Sequence, residues 1–274
     1  MTVDGERAES VASNQSGKRS GKKRLNIVIQ CAASGDTSRL LECFANEEDP
    51  YHDRVESQLN SADEEGRSPV EIAVTENQIE MLKLLQEKGS GLDTRNSMSA
   101  RTPLDMACIL GRNEALKALL AGGADANNST KRGYTAIHHA AAWGRMDCLK
   151  TLVKYGASLT IKTKHGERAR DTALRYKHED CSFFLDWSEA RRGLVSILQE
   201  TKETIEDPQK LQGRLAKDEK MTGLNVCGEK QEWLDSNPNA SIEDFHKQEE
   251  DLRTSLEAIL VKLSEPPPEK PHRR

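Results

Sequence analysis

A period of about 33 residues runs through the middle of this chain and restricts its fold more than any single motif does. Four stretches align: "GRSPVEIAVTENQIEMLKLLQEKGSGLD" from Gly66, "ARTPLDMACILGRNEALKALLAGGADAN" from Ala100, "GYTAIHHAAAWGRMDCLKTLVKYGASLT" from Gly133 and "GERARDTALRYKHEDCSFFLDW" from Gly166, with starts 34, 33 and 33 residues apart. A weaker copy, "VIQCAASGDTSRLLECF", runs from Val28 to Phe44. Each copy has a Ser/Thr-Pro-like start, a short Ala-rich helix, a turn and a second helix with paired leucines. The first three of the four end in a Gly-rich loop. A unit this short cannot bury its apolar face alone, so its stability must come from stacking on its neighbours.

The local chemistry agrees with the period. Ser68 and Thr102 suit a helix N-cap, and Pro69 and Pro103 suit the first helical position, where no amide donor is needed. Ala107, Ala140 and Ala141 let helices approach closely. Gly111 and Gly144 fit a turn in the left-handed region. Leu116, Leu119 and Leu120, then Leu149, Leu152 and Val153, recur at helical spacing as buried ridges.

These residues resemble the ankyrin repeat. The T-P-L-H-x-A-A-x-x-G core and the L-L-x-x-G-A-D-x-N tail are matched best by Arg101-Thr102-Pro103-Leu104 and by Gly122-Gly123-Ala124-Asp125-Ala126-Asn127. The resemblance covers about residues 25 to 187. It implies an all-α solenoid of helix-turn-helix units joined by short β-hairpin loops. The sequence also departs from the pattern. Glu71, Asp105 and Asp171 stand where the family has histidine, and Asn77 and Lys177 replace the turn glycine. Arg168, Ala169 and Arg170 replace Thr-Pro-Leu, so the fifth copy is expected to be a terminal cap closed by Phe183, Phe184, Leu185 and Trp187. The acidic insertion "NEEDPYHDRVESQLNSADEE" is expected to be an extended surface loop.

The stretch "TAIHHAAAWG", followed by Asp147 and Cys148, raises the question of a metal or catalytic cluster. His138 falls on the family's histidine, whose implied role is to bond backbone groups of adjacent turns. No H-x-x-x-H pair shares a helix face, and His139 and Asp147 belong to different helices, so the metal reading lacks ligands. A nucleophilic Cys148 needs an activating histidine. His139 is expected to be partly packed or to lie at a groove edge.

The family resemblance implies a partner surface on the hairpin tips and the exposed face of each first helix. The two residues before each turn residue are Ile109 and Leu110, Ala142 and Trp143, and Arg175 and Tyr176. They are expected to form one outward row. Arg112, Arg132 and Arg145 flank it and Tyr134 adds to it, a combination of aromatic and Arg side chains typical of binding hot spots. The opposing reading is that Ile109, Leu110 and Trp143 pack beneath another part of the chain.

After Trp187 the period stops. Leu194, Ile197, Leu198 and Ile205 suggest a helix broken at "EDPQ". Trp233-Leu234-Asp235, Asn237, Ala240, Phe245 and Leu252, with Leu224 and Cys227 before them, resemble the C-terminal helical lid of Hsp70 chaperones. Gly223, Gly228 and Pro238 depart from it, and the glycines are expected to weaken the helix before Trp233. Phe245, Leu252, Leu256, Ile259, Leu260 and Leu263 form one apolar stripe, read either as the core of a small bundle or as a docking face. No nucleotide-binding domain or phosphate loop accompanies it, so chaperone activity does not carry over.

Composition bounds the rest. Charged residues make up 31% and aromatic residues 4%, favouring small Ala- and Leu-built cores with flexible tails. A net charge of -5 argues against a nucleic-acid binder. The six cysteines contain no C-x-x-C and are expected to be reduced thiols. No apolar run approaches ~18 residues, so no membrane span is expected. The leading residues are hydrophilic, so no secretory signal is expected, and the sequons at Asn14, Asn127 and Asn128 are then silent. No P-loop, dinucleotide, nucleophile-elbow or HExxH motif occurs. The expected domains are a basic leader at 1–24 with the run "GKRSGKKR", the stack at 25–187, the lid-like bundle at 188–263 and a Pro-rich tail at 264–274. The expected protein is a non-enzymatic scaffold or adaptor without cofactor, metal or small-molecule substrate, holding a protein partner on the concave face. A cytoplasmic site is expected, with cytoskeletal association or nuclear entry through 18–24. The alternative is an adaptor of Hsp70 machinery acting through the C-terminal helices.

Overall fold

The computed structural model describes residues 26–207, 211 and 214–264. The basic run and the Pro-rich tail lie outside the described residues. Ten of its helices pair off: α1 (Ile27–Ser34) with α2 (Thr37–Ala45), α4 (Pro69–Thr75) with α5 (Ile79–Glu87), α6 (Pro103–Leu110) with α7 (Asn113–Ala121), α8 (Ala136–Ala142) with α9 (Met146–Lys154), and α10 (Ala169–Arg175) with the start of α11 (Glu179–Glu206). The first helices pack in an inner layer α1-α4-α6-α8-α10, and the second helices form an outer layer α2-α5-α7-α9-α11. One continuous core runs through both layers, with Leu40, Leu82, Leu85, Leu116, Leu119, Ile137, Leu149 and Leu152 fully buried.

The capping chemistry follows the sequence. Ser68 Oγ accepts the Glu71 amide at 3.2 Å, and Thr102 Oγ1 accepts the Asp105 amide at 3.2 Å. Each satisfies an amide that the first turn would leave unpaired. Gly144 takes a φ of 62°, and a Cβ there would stand 2.7 Å from His178 Nδ1, so both conformation and space demand glycine. Asn77 and Lys177 take the same left-handed turn at φ 59° and 62° despite their side chains.

The loops between pairs are hydrogen-bonded turns, and no strand forms among the described residues. Asp63, Thr130 and Thr163 each donate their amide to the carbonyl four residues on, at 3.0, 2.8 and 2.9 Å. Asn96 instead donates to Arg101, five residues on, at 2.9 Å, and Ala100 absorbs the extra residue at φ 57°. Neighbouring tips join through Ser97 N to Gly66 O at 3.2 Å and Lys164 N to Arg132 O at 3.0 Å.

The insertion is not wholly extended. It folds into α3 (His52–Gln58), which packs on α1 and α2. Val55 and Leu59, one helical turn apart, bury themselves there. Arg39 donates to Asp49 at 2.5 Å, and His52 Nδ1 meets Cys43 O at 3.0 Å, tying the segment down.

Helix α11 carries the second helix of the fifth copy onward without a break, so the expected boundary after Trp187 falls inside it. Leu185 is buried in the stack and Phe184 packs on it, but Phe183 is 62% exposed and does not cap anything. Trp187 belongs to a second core with Leu194, Leu198, Ile205, Leu234, Phe245, Leu252, Leu256 and Ile259, shared by α11, α12 (Lys217–Ser236) and α13 (Ile242–Ser264). Trp187 and Trp233 both meet Phe245 edge-on, at centroid distances of 5.7 and 5.9 Å. The stripe of α13 therefore faces its own bundle. Gly223 is where this bundle closes: a Cβ there would lie 2.6 Å from Ile205 Cδ1. The glycine expected to weaken α12 is instead a contact point, and α12 continues through it. Arg192 of α11 bridges back to the stack, donating to Ala157 O at 2.8 Å and Val153 O at 3.2 Å at the end of α9.

Candidate functional site

The inner face of α8 and the tips beside it enclose an open cavity of about 750 Å³. The tip 97–101 supplies Met98 and Arg101, the next tip supplies Lys131 and Arg132, and α8 and its flanks supply Tyr134, His139, Ala142 and Trp143. Tyr176 closes the far side. Trp143 and Tyr176 are 55% and 53% exposed, two large aromatic side chains left in solvent on one concave face.

Helix geometry explains which of the expected residues reach this space. Leu110, Trp143 and Tyr176 each stand one residue before the turn residue. Leu110 is partly exposed but does not line the cavity. Ile109, one step earlier, is 8% exposed and belongs to the core. In the next unit the equivalent Ala142 does line the cavity beside Trp143, so it is the packing of the larger Ile109 side chain into the core that removes it from the face. The expectation of an exposed Ile109 is thus corrected.

Arg112 and Arg145 also serve elsewhere. They are the N-caps of α7 and α9, on the helix-turn side, and neither lines the cavity. Arg145 lies over the turn glycine Gly111 of the preceding unit and donates Nε to Ile109 O at 3.3 Å. His178, 33 residues later, covers Gly144 and meets Ala142 O at 3.1 Å. This position clamps one unit to the next, a role visible in the sequence only as a residue following the turn.

Arg175 stands behind the cavity wall. Its Nη2 donates to the Tyr134 hydroxyl at 3.2 Å, its Nη1 pairs with Glu167 at 3.0 Å, and its guanidinium lies 5.0 Å from the Tyr176 ring centroid. It fixes the two tyrosines that the cavity exposes. Arg95 likewise ties the rim, donating to Ala100 O, Asn128 Oδ1 and Ser129 O.

His138 is fully buried and bonded at both ring nitrogens. The Thr135 amide donates to Nδ1 at 3.2 Å, so Nε2 carries the proton and donates to Glu167 O at 3.3 Å. Burial holds its pKa below the usual imidazole range. At the equivalent positions, Glu71 accepts from Asn96 Nδ2 at 3.1 Å, reaching the next tip as His138 does, while the shorter Asp105 closes only its own turn. Cys148 is buried beside Cys108, whose thiol burial pushes well above its ordinary range. No group of three metal-ligating side chains gathers among the described residues.

His139 differs from His138. Its ring stacks on Tyr134 at 5.8 Å, and its Nε2 is buried without a hydrogen-bond partner. Burial first, then Arg101 and His138, lowers its pKa to about 4. The imidazole is therefore neutral near pH 7. Met98, 76% exposed, and the cations Arg101 and Lys131 were not anticipated from the sequence; the longer tip that presents Met98 and Arg101 is signalled by the 34-residue spacing.

Comparison with known proteins agrees with this geometry. A family model described as ankyrin repeats (3 copies) matches residues 88–163 and 104–186. Ankyrin repeat domain-containing protein 45 of Homo sapiens is 33% identical over 241 residues, covering 88% of this chain and 78% of that protein. Its Mus musculus counterpart is 38% identical over 241 residues, covering 88% and 84%. The Danio rerio protein of the same name is 34% identical over 138 residues, covering 50% and 62%. A 33-residue period, two-layer stacking of paired helices, the reciprocal cap at Thr102 and these matches lead to one conclusion: the chain belongs to the ankyrin repeat family.

Proposed function

We propose that this protein is a non-enzymatic interaction scaffold that holds a segment of a protein partner in the concave cavity centred on Trp143. The observation that carries this reading is the exposure of Trp143 and Tyr176 side by side with the braced Tyr134 on a 750 Å³ cavity. Large aromatic side chains in a concave surface are among the residues that carry most of the binding energy at interfaces. Ankyrin repeat proteins in general act as interaction modules. The test compares proteins captured from cell extract by the full chain and by a Trp143→Ala/Tyr176→Ala variant. Both side chains are mostly in solvent, so thermal stability should hold while specific capture falls. Equal capture by the two proteins would remove the cavity from consideration.

A second reading assigns the C-terminal helices to Hsp70 machinery. It is favoured by the second core around Trp187, Trp233 and Phe245, which the C-terminal part of α11 shares with α12 and α13. Truncation after Glu206, which spares α11, should abolish chaperone association and leave cavity partners bound.

A further inference from the structure

Deepening the reading of the cavity as a partner site, on which it rests, we propose that the occupant is an acidic linear protein segment carrying an apolar or aromatic anchor residue. The charges around the cavity are all of one sign: Arg101, Lys131 and Arg132 line it, and no Asp or Glu does. None of the three cations forms an ion pair among the described residues, and all three are exposed. This is a local reversal, because the chain as a whole carries a net charge of -5. Uncompensated cations on a concave surface focus a positive potential there and draw in an anionic partner.

The apolar lining sets the second requirement. Met98 on one tip and Trp143 and Tyr176 at the helix ends face the same space. Acidic groups alone would leave these surfaces wet, so the segment must carry at least one large apolar side chain among its carboxylates. A nucleic acid is the other polyanion with flat apolar groups, and the observations favour it less. Single-strand sites track the backbone with a long basic groove. Here the cations that line the cavity sit on two tips, with Lys162 and Lys164 exposed on the next one, and the aromatic side chains cluster at one place rather than along a groove.

The experiment uses the full chain and fluorescence anisotropy with three dye-labelled probes. One is a twelve-residue peptide of Asp and Glu around a central Leu-Phe pair. The second replaces its acids with Lys and Arg, and the third is a single-stranded oligonucleotide of similar length. The expected result is binding of the acidic peptide only, weakening with added salt as exposed charge pairs must. An Arg101→Glu/Lys131→Glu/Arg132→Glu variant should weaken it by at least about tenfold, as loss of a complementary charge set does. An Arg→Gln, Lys→Gln version of the same set guards against misfolding by charge reversal and should weaken it in the same direction. Trp143→Ala should weaken it as well. Equal binding of the acidic and basic peptides, or no effect of charge reversal, overturns the proposal. Tighter binding of the oligonucleotide overturns it in favour of nucleic acid. If no probe binds but Trp143→Ala/Tyr176→Ala still loses captured proteins, the charge inference alone fails. If capture is also unchanged, the cavity reading fails with it.

Discussion

Thr102 and Asp105 hold each other's backbone amide: Thr102 Oγ1 accepts from Asp105 N at 3.2 Å, and Asp105 Oδ2 accepts from Thr102 N at 2.9 Å. One unit later Thr135 and His138 reproduce half of this exchange, with Nδ1 in place of the carboxylate oxygen. In these two units a carboxylate and an imidazole serve alike as the acceptor three residues after the cap. Thr102→Ala should cost about 1 kcal/mol, the usual loss for a helix cap, measured by chemical denaturation.

Asp105 also makes a pH prediction. Burial raises its pKa from 3.8 to about 6, although the bond from Thr102 opposes the rise. Its folded pKa lies above its unfolded one, so the ionised carboxylate costs stability above pH 6, and the cost disappears as pH falls toward 3.8. Asp105→Asn keeps the acceptor and removes the charge. Its stability relative to the parent should therefore rise between pH 4 and pH 7; a flat difference across that range would contradict the assignment.

His139 makes the opposite prediction. Its folded pKa is lowered from 6.5 to about 4, so the unfolded chain takes up a proton first. Stability is intact above pH 6.5 and is lost as pH falls toward 4. The displacement corresponds to roughly 3 kcal/mol at most. His139→Phe preserves the stack on Tyr134 and should lose less stability than the parent over that window, read from urea midpoints at a series of pH values.

The two glycines of α12 should respond in opposite ways to alanine. Gly228 has nothing within 4 Å of an added Cβ, so Gly228→Ala should gain about 0.5–1 kcal/mol from helix propensity. Gly223 would drive its Cβ to 2.6 Å from Ile205 Cδ1 in a closed core. Overpacking of about 1–3 kcal/mol outweighs the same helical gain, so Gly223→Ala should lower the melting temperature.

Arg192 joins the bundle to the stack by capping the carbonyl end of α9. A cation at a helix C-terminus with two carbonyl bonds contributes about 1–3 kcal/mol. Arg192→Met keeps the side-chain stem, so its effect isolates the guanidinium. Amide exchange should quicken at Val153–Ala157 while the core of α12 and α13 remains protected.

The repeat, the caps and the turn positions were legible in the sequence because they are local. A 33-residue period, a threonine before proline and a glycine in a left-handed turn each act within a few residues of chain. The site was only partly legible. Of the residues expected on a partner surface, Arg132, Tyr134, Trp143 and Tyr176 line the cavity, whereas Arg175 braces its wall from behind and Arg112 and Arg145 sit at helix starts. Tertiary packing rather than residue type separates these arginines: Arg145 finds a carbonyl of the preceding unit within reach, and Arg132 on a tip finds none.

The sequence by itself determined that short helix pairs must stack and where each pair begins and turns, since helix period and capping are encoded residue by residue. It could not determine that α11 would run on to join stack and bundle, that Gly223 would be a contact rather than a weak point, or that Ile109 would turn inward while Trp143 stays in solvent. Those outcomes depend on which surfaces meet. They were decided only when residues tens of positions apart, such as Arg192 and Ala157 or Arg175 and Tyr134, came within bonding distance.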